Sequence, residues 1–211
     1  GVAVLNKYFD EDGKLSSEQV SEDEMTQEIR YYYPDGKLKG AVTYKDDMPY
    51  DGTLYEGLSE QQYKNGILVH SKFFTSDEKL KTETKINADQ TLYNSTVYDE
   101  NGAIAYTYSH PVEQGEGFTA QIVQYAKGKA ASKAVVKDGV LESGKLKYKS
   151  EAGVKELERN GKWIFIKIYN RDGKLIQDSK VLAETQEPDT YNASNTLITE
   201  SDLQYEFYEY L

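Results

Sequence analysis

The stretch Tyr32-Tyr33-Pro34-Asp35-Gly36-Lys37-Leu38 decides the fold of this chain. Asp-Gly and Asn-Gly pairs are preferred in two-residue hairpin turns, because the central residues of such turns need positive φ angles. The aromatic residue before the turn and the leucine after it should face each other across the hairpin, a pair worth about 0.2–1 kcal/mol. The stretch therefore predicts a β-hairpin with a tight turn at Asp35-Gly36.

The same phrase recurs along most of the 211 residues. Copies that begin at residues 62, 74, 86 and 98 follow one another in steps of twelve. A twelve-residue repeat leaves about ten residues per strand and no room for a crossover helix, so consecutive strands must be antiparallel neighbours. The glycines of the predicted turns are Gly13, Gly36, Gly52, Gly66, Gly102, Gly139, Gly161 and Gly173.

The composition favours a thin architecture. Hydrophobic residues make up only 38% of the chain, and 19 Tyr stand against 6 Phe and 1 Trp. Repeat arrays tolerate a lean core because each unit packs only on its neighbours, and tyrosine suits a sheet face that is half exposed to water. We predict an all-β fold, an elongated and twisted antiparallel β-meander built from repeated hairpins in a single sheet.

The repeats suggest one continuous domain with an interruption. His110-Pro111 and Gly115-Glu116-Gly117 break the register and are typical of a longer loop. The predicted parts are a first hairpin-repeat block at 1–108, an irregular junction at 109–134, a second block at 135–182, and a polar connection with a closing strand or short helix at 183–211.

Two local patterns complete the prediction of secondary structure. The acidic stretch at 16–24 has no apolar face and is expected to be a loop, whereas Gln27, Ile29 and Tyr31 alternate as in a strand. The segment at 163–169 is the most apolar of the chain, and we expect this strand to be central and well covered.

Charge and residue types exclude several classes of function. The net charge of -11 disfavours nucleic acid and direct binding to anionic lipid, and the lack of Cys excludes disulfides and thiol chemistry. No stretch approaches the roughly 18–20 apolar residues of a membrane span. The opening Gly1-Val2-Ala3, without Met, resembles a tag remnant or a chain begun after a removed leader. We therefore favour an exported protein, periplasmic or at the cell surface, over a cytoplasmic one, and a lipid anchor is an open alternative.

No residue pattern predicts catalysis, a metal site or a cofactor. His70 and His110 lack a matching metal ligand at strand or helix spacing, and no nucleophile-elbow phrase is present. With 36 carboxylates, close pairs are expected by chance. Asp10-Glu11-Asp12-Gly13 lacks the later ligands of a calcium loop and is explained by a hairpin turn.

The recurring tyrosines are the candidate interaction surface. One interpretation makes them packing residues of a thin sheet; the other makes them an exposed aromatic face that binds a protein or a glycan. Strand parity places Tyr31 and Tyr33 on one face and Tyr32 on the other. The candidates are Tyr31, Tyr33, Tyr55, Tyr63, Tyr98, Tyr106, Tyr108 and Tyr169.

The phrases Tyr33-Pro34-Asp35-Gly36-Lys37-Leu38, Pro49-Tyr50-Asp51-Gly52-Thr53-Leu54-Tyr55 and Tyr63-Lys64-Asn65-Gly66 resemble the MORN-variant repeats of bacterial proteins labelled as antitoxin components of the YwqK type. The resemblance covers most of residues 25–180. It implies an elongated antiparallel sheet used as a scaffold or interaction surface, and the antitoxin label implies a toxin partner. The single Trp and the missing paired glycines depart from MORN repeats proper, which disfavours the lipid binding ascribed to some of them.

The function that we expect is a non-catalytic protein-interaction or scaffold role through a Tyr-rich β-sheet face, with another protein as the partner. The alternative is a cell-surface carbohydrate-binding or polysaccharide-active protein that uses tyrosines as platforms for a glycan.

Overall fold

The computed structural model describes residues 4–21, 26–112, 119–138, 140–150 and 153–183. These residues form sixteen β-strands, and every pairing between strands is antiparallel and joins neighbours in sequence. The strands of the twelve-residue repeats begin at 80, 92 and 104, so each repeat supplies one strand and one turn. The predicted all-β hairpin meander is confirmed.

The chain divides into two compact units, Gly1–Ile86 and Asn87–Leu211. Within the junction expected at 109–134, Thr119–Ala126 is a strand and a second strand begins at Lys129. A helix long and apolar enough to cross a membrane is not found among the described residues.

Unit 1 is a meander in which both faces of the sheet are partly exposed. Most of its strand residues are half-buried whichever face they point to, and Val42 is its one fully buried hydrophobic residue among those described. These strands therefore form a single layer, as the lean composition predicted. They are β1 (Val4–Phe9), β2 (Leu15–Ser21), β3 (Thr26–Tyr32), β4 (Leu38–Lys45), β5 (Met48–Glu56), β6 (Ser59–Lys64), β7 (Ile67–Phe74) and β8 (Leu80–Ile86).

Unit 2 has a hydrophobic core. Buried and exposed residues alternate along its strands, and the buried ones form one cluster that includes Tyr106, Ile122, Leu146, Leu157 and Ile166. One face of the sheet is therefore covered in this unit. Its strands are β9 (Leu92–Tyr98), β10 (Ile104–Pro111), β11 (Thr119–Ala126), β12 (Lys129–Lys137), β13 (Val140–Ser150), β14 (Gly153–Asn160), β15 (Trp163–Tyr169) and β16 (Leu175–Leu182).

The long strand β13 bends at Gly144. Up to Gly144 it pairs with β12, and from Lys145 it pairs with β14. Gly144 has a φ of +84°, and a Cβ there would lie 2.0 Å from the carbonyl oxygen of Lys133. Beyond the bend, the backbone N–H of Lys147 donates to Oε1 of Gln124 on β11 at 2.9 Å, and Nε2 of Gln124 donates to the Lys147 carbonyl. Neighbouring strands lie about 4.8 Å apart, so in a flat sheet β12 would separate β11 from β13. The hydrogen bonds between Gln124 and Lys147 therefore require β13 to fold back over the sheet beyond Gly144.

The hairpin at Asp35-Gly36 differs from the predicted two-residue turn. The N–H of Gly36 donates to the carbonyl of Tyr33 at 2.8 Å, and the N–H of Tyr33 donates to the carbonyl of Lys37 at 2.8 Å. Gly36 has a φ of +82°, whereas Asp35 keeps a negative φ. This is a three-residue loop that ends in a glycine bulge. The predicted cross-strand pair of Tyr32 with Leu38 is confirmed.

The residue directly after the strand explains this longer loop in several copies. Oδ1 of Asp10 accepts from the N–H groups of Asp12 at 3.0 Å and Lys14 at 2.8 Å. Asp99 and Asn170 bind their own loops in the same way. An Asp or Asn side chain at this position satisfies loop N–H groups that a two-residue turn would not have.

Two-residue turns occur elsewhere, and one predicted turn is wrong. Asn65-Gly66 forms such a turn, with φ angles of 51° and 77°. Gly52 lies inside β5 instead; its φ is +105°, and a Cβ would lie 2.2 Å from the carbonyl oxygen of Ala41. Gly52 therefore marks the point where the pairing of β5 passes from β4 to β6, rather than a turn. The predicted turn glycine Gly139 lies outside the described residues.

Two further expectations need correction, and a third concerns residues outside the described part of the chain. Leu15–Ser21 is a strand and not a loop; alternation was missing from its sequence because neither face is covered. In β15, Ile164, Ile166 and Ile168 are the buried residues, whereas Phe165 is 37% exposed, so only one face of this strand is covered. The closing strand or helix expected within 183–211 lies outside the described residues.

Candidate functional site

One face of unit 1 gathers aromatic side chains from β3, β4 and β5. In the register of β3 with β4, Tyr31 lies opposite Gly40 and Gln27 lies opposite Tyr44. Residues opposite each other in antiparallel strands point to the same side. Beyond Gly52, which has a φ of +105°, Tyr55 of β5 packs against Gly40 and so lies on this side. We call this the Tyr face: the face of unit 1 that carries Tyr31, Tyr44 and Tyr55.

The ring of Tyr55 is held from several directions. Its centroid lies 5.1 Å from that of Tyr31 in an edge-to-face arrangement of 70°, a favourable geometry for aromatic pairs. Nζ of Lys39 lies 4.0 Å from the ring centroid, and the Tyr55 hydroxyl donates to the Lys39 carbonyl at 3.3 Å. Gly40 leaves the space for this ring, since a Cβ there would lie 2.9 Å from Cε2 of Tyr55.

Partial burial keeps these phenols protonated. Burial raises the pKa of Tyr31 to about 12, and the nearby Tyr44 adds to the effect. Burial likewise raises the pKa of Tyr44 and of Tyr55, with further contributions from Glu56 and Glu60 respectively. The Tyr face therefore presents neutral hydroxyl groups that can donate hydrogen bonds throughout the physiological range.

The raised pKa of Tyr31 predicts how stability falls at high pH. The unfolded phenol ionises near pH 10 and the folded one near pH 12, so the unfolded state loses its proton first and the native state loses stability between these values. In urea titrations from pH 9.5 to pH 12, the free energy of unfolding should fall less steeply for Tyr31→Phe than for the wild type. Tyr33→Phe, at an exposed ring, should follow the wild type; parallel curves for all three proteins would contradict the prediction.

A shallow depression of about 190 Å³ adjoins Tyr55 on the same face. The strand register forms it from two rows: Tyr55 lies opposite Glu60, which lies opposite Lys72, and Thr53 lies opposite Gln62, which lies opposite His70. Its walls are therefore polar apart from the tyrosine ring. The lining residues are Thr53, Tyr55, Glu60, Gln62, His70 and Lys72.

The charges around the depression compensate one another. Lys72 lies 3.5 Å from Glu60, and Nε2 of His70 lies 2.8 Å from Oε1 of Glu83. Lys85 lies 3.0 Å from the same oxygen of Glu83. Hydrogen bonds from Lys85 and then from His70 lower the pKa of Glu83. The depression is thus suited to hydrogen bonding with a ligand that brings no net charge.

The described residues contain no cluster of three or more His, Asp or Glu side chains that could hold a metal ion. The Tyr face offers aromatic contact through the rings of Tyr31 and Tyr55, and hydroxyl groups for hydrogen bonding.

The structure brings together only part of the predicted tyrosine set. Tyr31 and Tyr55 are in contact on the Tyr face, and Tyr33 is exposed in the loop that follows β3. The ring of Tyr63 is on the opposite face, where its hydroxyl donates to Gln61 at 2.8 Å. Tyr32 is also on that face and donates to Glu18 at 2.6 Å, so the predicted separation of Tyr31 from Tyr32 is confirmed.

The other four predicted tyrosines belong to unit 2. Tyr106 and Tyr108 are 0% and 8% exposed within the core, with ring centroids 6.2 Å apart. They are packing residues and are not available to a partner. Tyr98 and Tyr169 end β9 and β15 and lie opposite Ile104 and Leu175, which is the aromatic-to-aliphatic pair that the repeat predicted.

Sequence reasoning missed several residues of the site. Gly40 gave no turn signal because it lies inside a strand, although an isolated glycine in a strand often marks a close approach. Tyr44 lies two and four residues beyond Val42 and Gly40, so strand alternation could have placed it on their face. The same alternation places Lys72 on the face of His70.

Comparison with known proteins gives one family match. The model of the MORN repeat variant family matches residues 28–46, which span most of β3 and β4 with Tyr31, Gly40 and Tyr44. A MORN repeat variant is therefore present in this chain, as the resemblance in sequence predicted. No curated protein matches the sequence.

Among solved structures, the chain is similar to a candidate 6-phosphogluconolactonase from Bacteroides uniformis ATCC 8492, with 12% sequence identity and a TM-score of 0.19. The match covers 86% of this chain and 56% of that protein. A likeness at this level supports no conclusion on the fold or the activity of the present chain.

Proposed function

We propose that this protein is a non-catalytic binding or scaffold protein whose Tyr face holds another protein. The observation that carries the proposal is the group of Tyr31, Tyr44 and Tyr55 on one face of unit 1, at half-buried positions, with the rings of Tyr31 and Tyr55 in contact. The MORN repeat variant at residues 28–46, which contributes two of these tyrosines, supports a binding or scaffold role.

The chemistry of the Tyr face favours a protein partner. Tyrosine supplies a large apolar contact area together with a hydrogen-bonding tip, and it is enriched where interfaces concentrate their binding energy. The rings of Tyr31 and Tyr55 are fixed by their mutual contact, by Lys39 and by the close approach to Gly40. A partner would therefore order few additional side chains on binding, which lowers the entropic cost of association. The proposed partner includes a toxin, because the YwqK-type resemblance implies a toxin partner.

A matched pair of double variants tests the Tyr face. Tyr44→Ala/Tyr55→Ala removes two rings from the Tyr face, and Tyr32→Ala/Tyr63→Ala removes two from the opposite face. Each protein is immobilised and used to capture partners from an extract of the native cell envelope, after circular dichroism has shown that it is folded. Capture of a specific partner should fall at least about tenfold for the first variant, because central aromatic contacts are worth 2 kcal/mol or more. Equal capture by both variants would contradict the proposal.

The depression supports carbohydrate binding as a second candidate. Glu60, Gln62, His70 and Lys72 combine donors and acceptors whose charges are compensated, which suits the hydroxyl groups of a neutral sugar. Tyr55 borders the depression and supplies an apolar wall. On a glycan array, binding that is lost in Gln62→Ala and retained in Gln61→Ala, on the opposite face, would favour this candidate. An array without hits would remove it.

A further inference from the structure

One face of β15 and β16 in unit 2 points away from the hydrophobic core. The isoleucines of β15 are buried in that core, so Trp163, Phe165 and Lys167 point to the outer side. On β16, Lys180 lies opposite Phe165 and Asp178 lies opposite Lys167, and both β16 residues are exposed. We call this side, together with the adjacent turn residue Lys162, the Lys-Trp face; it consists of Lys162, Trp163, Phe165, Lys167, Asp178 and Lys180.

The tryptophan of this face is flanked by two lysines. Nζ of Lys180 lies 4.6 Å from the ring centroid of Trp163, and Nζ of Lys162 lies 5.8 Å from it. Neither of these lysines, nor Lys167, forms an ion pair with a described residue. An aromatic ring carries no net charge, so it attracts an ammonium group without neutralising it. Three uncompensated positive charges therefore lie on one exposed surface.

The carboxylates on the same side of the sheet do not balance these charges. On β14, Glu156 and Glu158 point to this side, but each is already paired with a lysine of β13, at 3.0 Å and 3.8 Å respectively. Among the described residues, Asp178 is then the one carboxylate left on this side to face the three lysines. A positive surface of this kind attracts a ligand rich in carboxylates.

Much of the negative charge of the chain follows directly after β16. Residues 184–211, outside the described part of the chain, contain seven Asp and Glu and no Lys or Arg, whereas the whole chain has a net charge of -11. The same residues include five aromatic ones. Leu182, the last residue of β16, lies opposite Trp163. The N–H of Ala183 donates to the carbonyl of Lys162 at 3.0 Å, so the acidic segment begins beside the Lys-Trp face.

We propose that the acidic segment 184–211 binds the Lys-Trp face, with its carboxylates on Lys162, Lys167 and Lys180. Its aromatic side chains contact Trp163 and Phe165. This proposal does not depend on the function proposed for the Tyr face.

Covalent attachment makes this contact favourable. Exposed ion pairs are individually weak, but the attachment raises the effective concentration of the segment to the order of millimolar. Lys167 lies about 13 Å along β15 from Trp163, a distance that a few extended residues span. An anionic partner would reach these lysines only by displacing the segment.

Carbodiimide crosslinking of the full chain tests the contact, since this reagent joins a carboxylate to an amine beside it. In the monomeric product, mass spectrometry should find amide bonds from 184–211 to Lys162, Lys167 or Lys180. These should be at least about tenfold more frequent than bonds to Lys127 or Lys129, because binding concentrates the segment at its site. Lys127 and Lys129 are exposed lysines of the turn between β11 and β12.

The ion pair of Lys147 with Glu156 provides an internal control for the reaction. Equal frequencies for the two sets of lysines would overturn the proposal. So would the absence of bonds from 184–211 while Lys147 is joined to Glu156. Bonds found only between two copies of the chain would show that the segment binds a second copy, which also overturns it.

Acrylamide quenching of the fluorescence of Trp163, the one tryptophan of the chain, tests the contact without a new bond. Raising the salt concentration to about 1 M shortens the Debye length to about 3 Å, so the segment should be released and the quenching constant should rise about twofold. Lys167→Glu should show this rise already at low salt, whereas Lys127→Glu, with the same change of charge, should follow the wild type. Quenching that does not respond to salt, or that is equal in the two variants at low salt, would overturn the proposal.

Discussion

Replacing Gly144 by alanine should lower the free energy of unfolding of unit 2 by about 3 kcal/mol or more. A non-glycine residue at a φ of +84° costs about 1–3 kcal/mol by itself. The new Cβ would also lie 2.0 Å from the carbonyl oxygen of Lys133 and 3.0 Å from Cα of Ala134. Both are backbone atoms of the paired strand β12, so β12 and β13 must separate and lose ladder hydrogen bonds worth about 1 kcal/mol each.

Gly128→Ala is the matched control for this prediction. Gly128 has a similar φ of +72°, but no atom lies within 4 Å of the position that its Cβ would take. Gly128→Ala should therefore lose only the stability that alanine costs at a positive φ. Urea unfolding can be followed through the fluorescence of Trp163, the one tryptophan of the chain, which lies in unit 2. If the two variants lost the same stability, the close approach to β12 would not matter and the account of the bend would fail.

Tyr106→Ala should destabilise unit 2 by about 3–5 kcal/mol, the usual cost of removing a large buried ring from a packed core. Tyr106 is 0% exposed and belongs to the same cluster as Leu141, Leu146 and Leu157. Tyr33→Ala removes the same side chain from a position that is 49% exposed, so its effect should stay within about 0.5 kcal/mol.

From the sequence, Tyr33 and Tyr106 were both candidates for the interaction surface. Comparing the two variants therefore shows which ring packs in a core and which lies on the surface. The unfolding midpoint in urea, from circular dichroism and from Trp163 fluorescence, gives both values. A loss below about 1 kcal/mol for Tyr106→Ala would show that its ring is not part of a close-packed core. The proteins should be compared at one concentration, because association would shift the midpoint.

The repeat phrase predicted which strands are neighbours but not the form of their loops. A step of twelve residues permits only antiparallel neighbours, and this holds for every pairing. The Asp-Gly pair, however, is compatible with a two-residue turn and with a three-residue loop that ends in a glycine bulge. The side chain after the aromatic residue, such as Asp10 or Asp99, favours the second form.

The repeat pattern could not predict that unit 2 has a hydrophobic core whereas unit 1 is partly exposed on both faces. Local sequence does not tell whether another part of the chain covers one face of a strand. The bend of β13 depends on one glycine within Glu142-Ser143-Gly144-Lys145, which lacks a turn phrase. For the same reason Tyr106 and Tyr108 were grouped with Tyr31 and Tyr55, although only tertiary packing separates them.

The candidate site was predicted in part. Parity correctly separated Tyr31 from Tyr32 because the side chains of a strand alternate strictly. The contact of Tyr31 with Tyr55 could not be predicted, since Gly52 lies opposite Val42 and strict alternation from Gly52 would place Tyr55 on the other face. The charge pairs of Glu60 with Lys72 and His70 with Glu83 depend on the register of three strands.

The close contacts of unit 1 run between consecutive strands, and this limits how its gene can change length. Duplication or loss of two successive repeats, roughly 24 residues, keeps the direction of every later strand and returns each loop to the same end of the sheet. A single added repeat would reverse every later strand and move its loops to the other end. Recombination that preserves folding should therefore occur in hairpin pairs, so related genes should differ in even numbers of strands.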